Sequence, residues 1–139
     1  LKQHPRNKSD EELRFIADHG GFVGVTMFTP FLRRGAESTV DDYIEAIDYV
    51  IDIAGEDQVG IGTDFTQGYG EPFFRWITRD KGYARPLTEF GEIKFPEGFS
   101  SIGEFPNLTP AMERAGWTES RIRKILGLNW VRLLDEVWG

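Results

Sequence analysis

The chain reads as an α/β protein built on parallel strands, and three observations carry that reading. Two short apolar runs, Phe22 to Phe28 and Val59 to Phe65, do not alternate with polar residues, which is the pattern of strands buried on both faces. Each run follows a segment with helical periodicity across a short connection, so the order is helix, strand, helix, strand, as in βα units around a parallel sheet. The second run, Val59-Gly60-Ile61-Gly62-Thr63-Asp64-Phe65, is slim and ends abruptly on a carboxylate. In α/β enzymes the chemistry sits at the carboxyl ends of strands.

Ser9-Asp10-Glu11-Glu12 has capping-box spacing and opens the first helix, with Leu13, Ile16 and Ala17 on one face. Gly20-Gly21 stands where a left-handed cap is wanted. The run from Phe22 to Phe28 predicts a strand buried on both faces, stopped by Thr29-Pro30 and followed by a loop through Phe31-Leu32-Arg33-Arg34-Gly35. Thr39 caps a long helix in which Val40, Tyr43, Ile44, Ile47, Val50, Ile51 and Ala54 recur with a period near 3.6. Gly55 closes it, and the second strand begins at Val59. From Thr66 to Glu104 the periodicity lapses into a stretch rich in aromatics: Tyr69, Phe73, Phe74, Trp76, Tyr83, Phe90, Phe95 and Phe99. Disordered segments are poor in aromatics, so this long connection reads as a lid over the strand ends or a dimer contact, with a small hairpin between Phe90 and Phe99. Thr109-Pro110 predicts a helix with Pro at its first position. Thr118 caps another that carries Ile122, Ile125 and Leu126 and continues through or bends at Gly127. The last segment, Leu128 to Trp138, is amphipathic, with Val131, Leu134 and Trp138 on a face expected to pack on the barrel exterior or on a partner subunit.

At 139 residues the chain can bury one ordinary core, and it is too short for a complete (β/α)8 barrel of about 250 residues. The net charge of −7, with no basic stripe, argues against a nucleic-acid partner. Arg33-Arg34 and the Arg121, Arg123, Lys124 group read as solvated surface. No apolar run approaches the length of a membrane span. The absence of cysteine excludes disulfides and thiolate zinc sites within this stretch and is compatible with cytoplasm, which is favoured, or periplasm.

Asp64 is the first candidate for chemistry: a carboxylate at a strand end can bind a metal, orient a water or hold a substrate amine, or simply cap the next turn. His4 and His19 are the only histidines. His19 falls at a helix end, where an imidazolium is favoured by the dipole, and His4 lies in a loop that it can shape. Two histidines in such different settings do not make a metal centre. Asp41, Asp42, Asp48 and Asp52 read as the solvated side of a helix. Asn129 reads as a tie between the last helix and a neighbouring loop, and Gly60 and Gly62 as permitting close packing or backbone approach.

A resemblance sharpens this reading. The segments His4-Pro5-Arg6-Asn7, Ser9 to Leu13, Gly20 to Val25, Ile47-Asp48-Tyr49-Val50, the Asp64 strand, Phe105-Pro106-Asn107-Leu108-Thr109 and Ile125 to Arg132, in that order and spacing, resemble the C-terminal part of the membrane (renal-type) dipeptidases, the M19 metallopeptidases. The resemblance implies the last two strands of a (β/α)8 TIM-type barrel and their helices, plus C-terminal helices, as one portion of a single domain over residues 1–139. The opening, Leu1-Lys2-Gln3-His4, lacks an initiator Met, and the earlier strands are expected upstream. The resemblance also implies hydrolysis of dipeptides at two zinc ions whose ligands lie upstream of this chain, with no metal ligand assigned here, and a homodimer. Arg6 is implied to hold the substrate carboxylate, as a guanidinium fork suits that group. Asp64 is implied to be catalytic and substrate-binding, touching the metal-bridging hydroxide and the substrate's free amine. Relatives connect this strand to the next helix more briefly, so residues 66–107 are expected to be an insertion. Two departures stand out: Thr66-Gln67 follows Phe65 where the family continues Asp-Gly, and Ala46 stands where many relatives carry His. Rival expectations are another amidohydrolase acting on N-acyl amino acids, lactams or lactones, and a non-catalytic subunit.

Overall fold

Ser9 begins the first helix by reciprocal capping: its Oγ accepts from the Glu12 N–H at 3.2 Å, and the Glu12 carboxylate accepts from the Ser9 N–H at 2.7 Å. In this computed structural model, which describes residues 2–65, 68, 72, 73, 76 and 93–139, helix α1 spans Asp10–Asp18. Gly20, at φ +71°, turns the chain out of it, and the Gly20 and Gly21 N–H groups bond back to the Ala17 and Ile16 carbonyls.

Strand β1 (Val23–Thr26) and strand β2 (Val59–Gly62) pair in parallel, from Val23 opposite Val59 to Thr26 opposite Gly62. Helix α2 (Val40–Ala54) makes the crossover between them. All seven apolar positions expected on its inner face are buried, and Ala46 joins them. Removing such side chains from water contributes about 1.5–3 kcal/mol for each large aliphatic one. Tyr43 fits among them because its hydroxyl donates to the Val25 carbonyl at 2.7 Å. Its burial pushes the phenol far above its ordinary pKa.

β1 departs from expectation. Val25 is buried but Gly24 is exposed, so the strand is covered on the α2 side and not on both faces. On the opposite face Trp130 and Phe22 cover the buried Gly60 of β2 but leave Gly24 of β1 exposed.

The glycines of β2 make close approaches. A Cβ on Gly60 would come within 2.7 Å of Trp130 Nε1 and 2.8 Å of the Phe22 ring. A Cβ on Gly62 would lie 2.9 Å from both the carbonyl carbon and the oxygen of Gly24. Those are backbone atoms that cannot rotate away. Gly62→Ala is therefore expected to lower stability by about 1–3 kcal/mol in urea unfolding; an unchanged midpoint would show that the strands part without penalty.

After the aromatic stretch the chain returns to the core. Glu97 forms a parallel bridge with Thr39: its N–H donates to the Ser38 carbonyl (3.0 Å) and its carbonyl accepts from the Val40 N–H (2.8 Å). Glu97 thus ties this segment to the start of α2, and no hairpin is seen among residues 93–99; Phe90 lies outside the described residues, as do Tyr69, Phe74 and Tyr83.

Helix α3 spans Leu108–Arg114, entered from a 3-10 helix over Ile102–Asn107. Pro110 is its third residue and not its first; the preceding turn supplies helical geometry early, and an N–H is dispensable anywhere in a first turn. Thr118 Oγ1 accepts from the Arg121 N–H at 3.3 Å and caps helix α4 (Glu119–Arg123). A π-helical turn, Lys124–Leu128, carries the chain through Gly127 into helix α5 (Asn129–Trp138).

Two readings of polar residues change here. Arg121 and Lys124 are not simply solvated: Glu56 takes Arg121 at 3.0 Å and Lys124 at 2.7 Å, Arg121 also reaches Asp48, and Lys124 reaches Asp57. On α2, Asp42 accepts from the Thr39 N–H and hydroxyl at 2.8 and 2.9 Å, whereas Asp41, paired with Arg114, stays exposed. On α5, Val131, Leu134 and Trp138 are exposed and lie outside the described core, while Asn129 and Trp130 in its first turn fasten the helix to β2.

Candidate functional site

Asp64 stands two residues beyond the end of β2, with φ +57°, the one non-glycine at positive φ among the described residues. Aspartate accepts this left-handed conformation better than most residues because its short side chain is undemanding there. Such backbone still costs of order 1 kcal/mol and concentrates at functional positions. Asp64 is exposed, whereas the next residue turns inward. The Phe65 ring sits 5.6 Å from Phe95 and 5.3 Å from Phe99, and the Phe65 N–H donates to Thr63 Oγ1 at 3.3 Å. Phe99 is fully buried, stacked 5.7 Å from Tyr43 and packed 5.2 Å from Phe105. The strand end therefore offers a carboxylate to solvent on a turn anchored by one ring.

Arg6 lies in the tight turn that leads into α1, closed by the Asn7 N–H bonding to the His4 carbonyl at 2.9 Å. The Asn7 side-chain amide donates to the Lys2 carbonyl (2.9 Å) and to the Phe31 carbonyl (3.1 Å). The Arg6 guanidinium stands 5.5 Å from the centre of the Phe31 ring, and the His4 ring lies tilted against that ring at 4.7 Å while its Nδ1 accepts from the Arg6 N–H. This turn is thus pinned to the loop that follows β1. Arg6 also rims a cavity of about 180 Å³ whose wall includes Leu13, Val25, Thr26, Leu32 and Ala46. Thr26 is in register with Gly62, two residues before Asp64. Asp64 is not among the cavity's described lining residues.

His19 Nδ1–H donates to the Phe15 carbonyl at 2.8 Å and its ring lies on Phe15, and His4 Nδ1 accepts from the Arg6 N–H. Among the described residues no three His, Asp or Glu side chains are gathered into a ligand set. A pair of zinc ions does not fit these residues by themselves.

Three features had no counterpart in the sequence reading: the left-handed backbone of Asp64, the ring cluster that holds Phe65, and the placement of Ala46 in the wall beside Arg6. The alternation of Gly60 and Gly62 signalled a close approach at β2, but not that Trp130 fills the space over Gly60.

Comparison with known proteins places this geometry. The family model of the membrane dipeptidases (peptidase family M19) matches residues 1–74. An uncharacterised protein from the pqqA 5′ region of Klebsiella pneumoniae is 30% identical over 142 residues, covering 99% of this chain and 43% of that protein. Dipeptidase ataJ of Aspergillus terreus is 29% identical, covering 99% and 28%. Among solved structures, an amidohydrolase from Pseudomonas aeruginosa is 65% identical with a TM-score of 0.93, over 99% of this chain and 42% of its own. A metallo peptidase from Rhodobacter sphaeroides, liganded with a phosphinate mimic of the dipeptide L-Ala-D-Ala, is 30% identical with a TM-score of 0.69, over 94% and 31%. The chain spans less than half the length of each of these proteins.

Proposed function

We propose, for a chain that belongs to the membrane dipeptidase family (peptidase family M19), that it forms the C-terminal part of a hydrolase of dipeptides, contributing the last two strands of a (β/α)8 barrel. The observation that carries this reading is Asp64: an exposed carboxylate in left-handed backbone just past a parallel strand. There it accepts a hydrogen bond from the substrate's free ammonium, orients the attacking water and passes a proton toward the leaving nitrogen. Arg6, on the turn fixed against Phe31, receives the terminal carboxylate through two parallel bonds. The structure of the Rhodobacter relative with a dipeptide mimic supports a substrate of that class.

Zinc, as two ions, is the cofactor that goes with this reading. The described residues do not gather its ligands, which would lie upstream of this chain. The proposal also takes 66–107 as an insertion within one domain and the assembly as a homodimer.

A second reading has an observation of its own. The 65% identical Pseudomonas structure is described as an amidohydrolase, which leaves room for a small amide other than a dipeptide. A panel of L-dipeptides, mixed-chirality dipeptides and N-acyl amino acids, assayed with the full-length protein, separates the two. Turnover confined to substrates with a free amine supports the dipeptidase, and turnover confined to N-acyl compounds replaces it. Within the first outcome, Arg6→Lys is expected to raise KM by about 10–100-fold, since a point charge replaces the fork. An unchanged KM would move the carboxylate site away from Arg6.

A further inference from the structure

We infer that Phe95 is a positioning residue for Asp64, acting through Phe65. This rests on the reading of Asp64 as the proton carrier. It starts from an asymmetry at the end of β2. Asp64 is held in a conformation that L-residues seldom adopt, yet its own side chain is exposed, so what fixes the turn must be its neighbours.

On one side stands Thr63, whose hydroxyl oxygen takes the Phe65 N–H. On the other stands Phe65, whose ring is clasped edge-on by Phe95 and Phe99. These two rings come from a segment some thirty residues later in the chain, and that segment is itself fastened to the core. Thr29 Oγ1, fully buried, donates to the Lys94 carbonyl at 2.6 Å. Glu97 is bridged to Ser38 and Val40 at the start of α2. Phe99 is stacked on Tyr43, whose hydroxyl is bound to the β1 carbonyl of Val25. The clasp thus ties the turn at Asp64 to both strands and to α2.

Phe99 and Phe95 differ in a way that assigns the role. Phe99 is wholly buried and belongs to the core, whereas Phe95 is 37% exposed, contributes less to the core and closes the outer side of the Phe65 ring. Without Phe95 the Phe65 ring has room to shift, and the peptide between residues 64 and 65 can relax toward common backbone. The carboxylate then moves off its line. Displacement of a reacting group by about 1 Å is enough to cost up to about a hundredfold in rate.

The test uses the full-length protein with Phe95→Ala and Phe95→Leu and two readouts. For turnover, Phe95→Ala is expected to lower kcat about 10–100-fold with KM little changed, and Phe95→Leu, which refills the space, to recover most of it. Equal kcat in Phe95→Ala and wild type overturns the inference, as does a loss that Leu does not recover. Independently of activity, hydrogen exchange of the Phe65 amide is expected to quicken about tenfold in Phe95→Ala as its bond to Thr63 opens more often, and unchanged exchange also overturns it. Asp64→Asn, run alongside, judges only the underlying reading: an active Asp64→Asn enzyme removes the proton-carrier role, while the exchange result still decides whether Phe95 holds the turn.

Discussion

Asp64→Asn is expected to lower kcat for dipeptide hydrolysis by about 10²–10⁴-fold and to leave the unfolding midpoint where it is. The two halves of that expectation come from different properties of the same residue. Asparagine is isosteric with aspartate and is equally at home in left-handed backbone, so the turn at φ +57° is not disturbed and Phe65 stays in its clasp. What asparagine lacks is the negative charge that holds an ammonium and the basic oxygen that accepts a proton. Asp64→Ala mixes both effects, since alanine also resists the left-handed region, and is expected to lose stability as well as turnover. Steady-state kinetics beside thermal unfolding of the full-length protein distinguishes the cases. An Asp64→Asn enzyme with wild-type kcat would leave the residue as a turn-former, and the non-catalytic reading of this chain would gain the ground.

How much of this was legible in the sequence follows from how local each signal is. The capping box at Ser9, the periodic face of α2 and the end of α2 at Gly55 are written within a few consecutive residues, and the elements lie where those residues put them. The start of α3 at Leu108 and not at Thr109-Pro110 depends on the 3-10 helix before it, a conformation with no strong sequence signature. The exposed side of β1 and the bare stripe of α5 are matters of what packs where, which periodicity does not report. For the candidate site, an apolar run ending on Asp64 marked a carboxylate at a strand end, and the His4-Pro5-Arg6-Asn7 segment stood out only through its resemblance to a family. The clasp on Phe65 was out of reach, because its rings are thirty residues apart in the chain and an aromatic-rich stretch does not say which aromatic meets which.

Asn129→Ala is expected to cost about 2–4 kcal/mol of stability, from two hydrogen bonds lost and two acceptors stranded. The side-chain amide of Asn129 donates to the Glu56 carbonyl at 2.6 Å and to the Val59 carbonyl at 2.8 Å, and the residue is almost wholly buried. The second of these bonds is buried, so the Val59 carbonyl it leaves has no ready substitute. The same turn is held from outside by ion pairs: Lys124 and then Arg121 keep the Glu56 carboxyl below its ordinary pKa. A lowered carboxyl pKa stabilises the fold above the unfolded-state value, and that contribution is lost as pH falls through the folded one. The outer staple therefore weakens in acid and the inner one does not. In Asn129→Ala only the outer staple remains, so the variant is expected to lose its residual stability at a higher pH than wild type. Asn129→Asp supplies the contrast. A carboxylate there has no proton to donate and faces two carbonyl oxygens, so the introduced group favours its neutral, donating form and its pKa is raised. Its stability is greatest in acid and falls as pH rises through that value, opposite in sign to the Glu56 effect. Urea unfolding of the full-length protein across the carboxylate range measures both slopes. Parallel pH profiles for the two variants would mean that Asn129 packs against the β2 entry without donating to it.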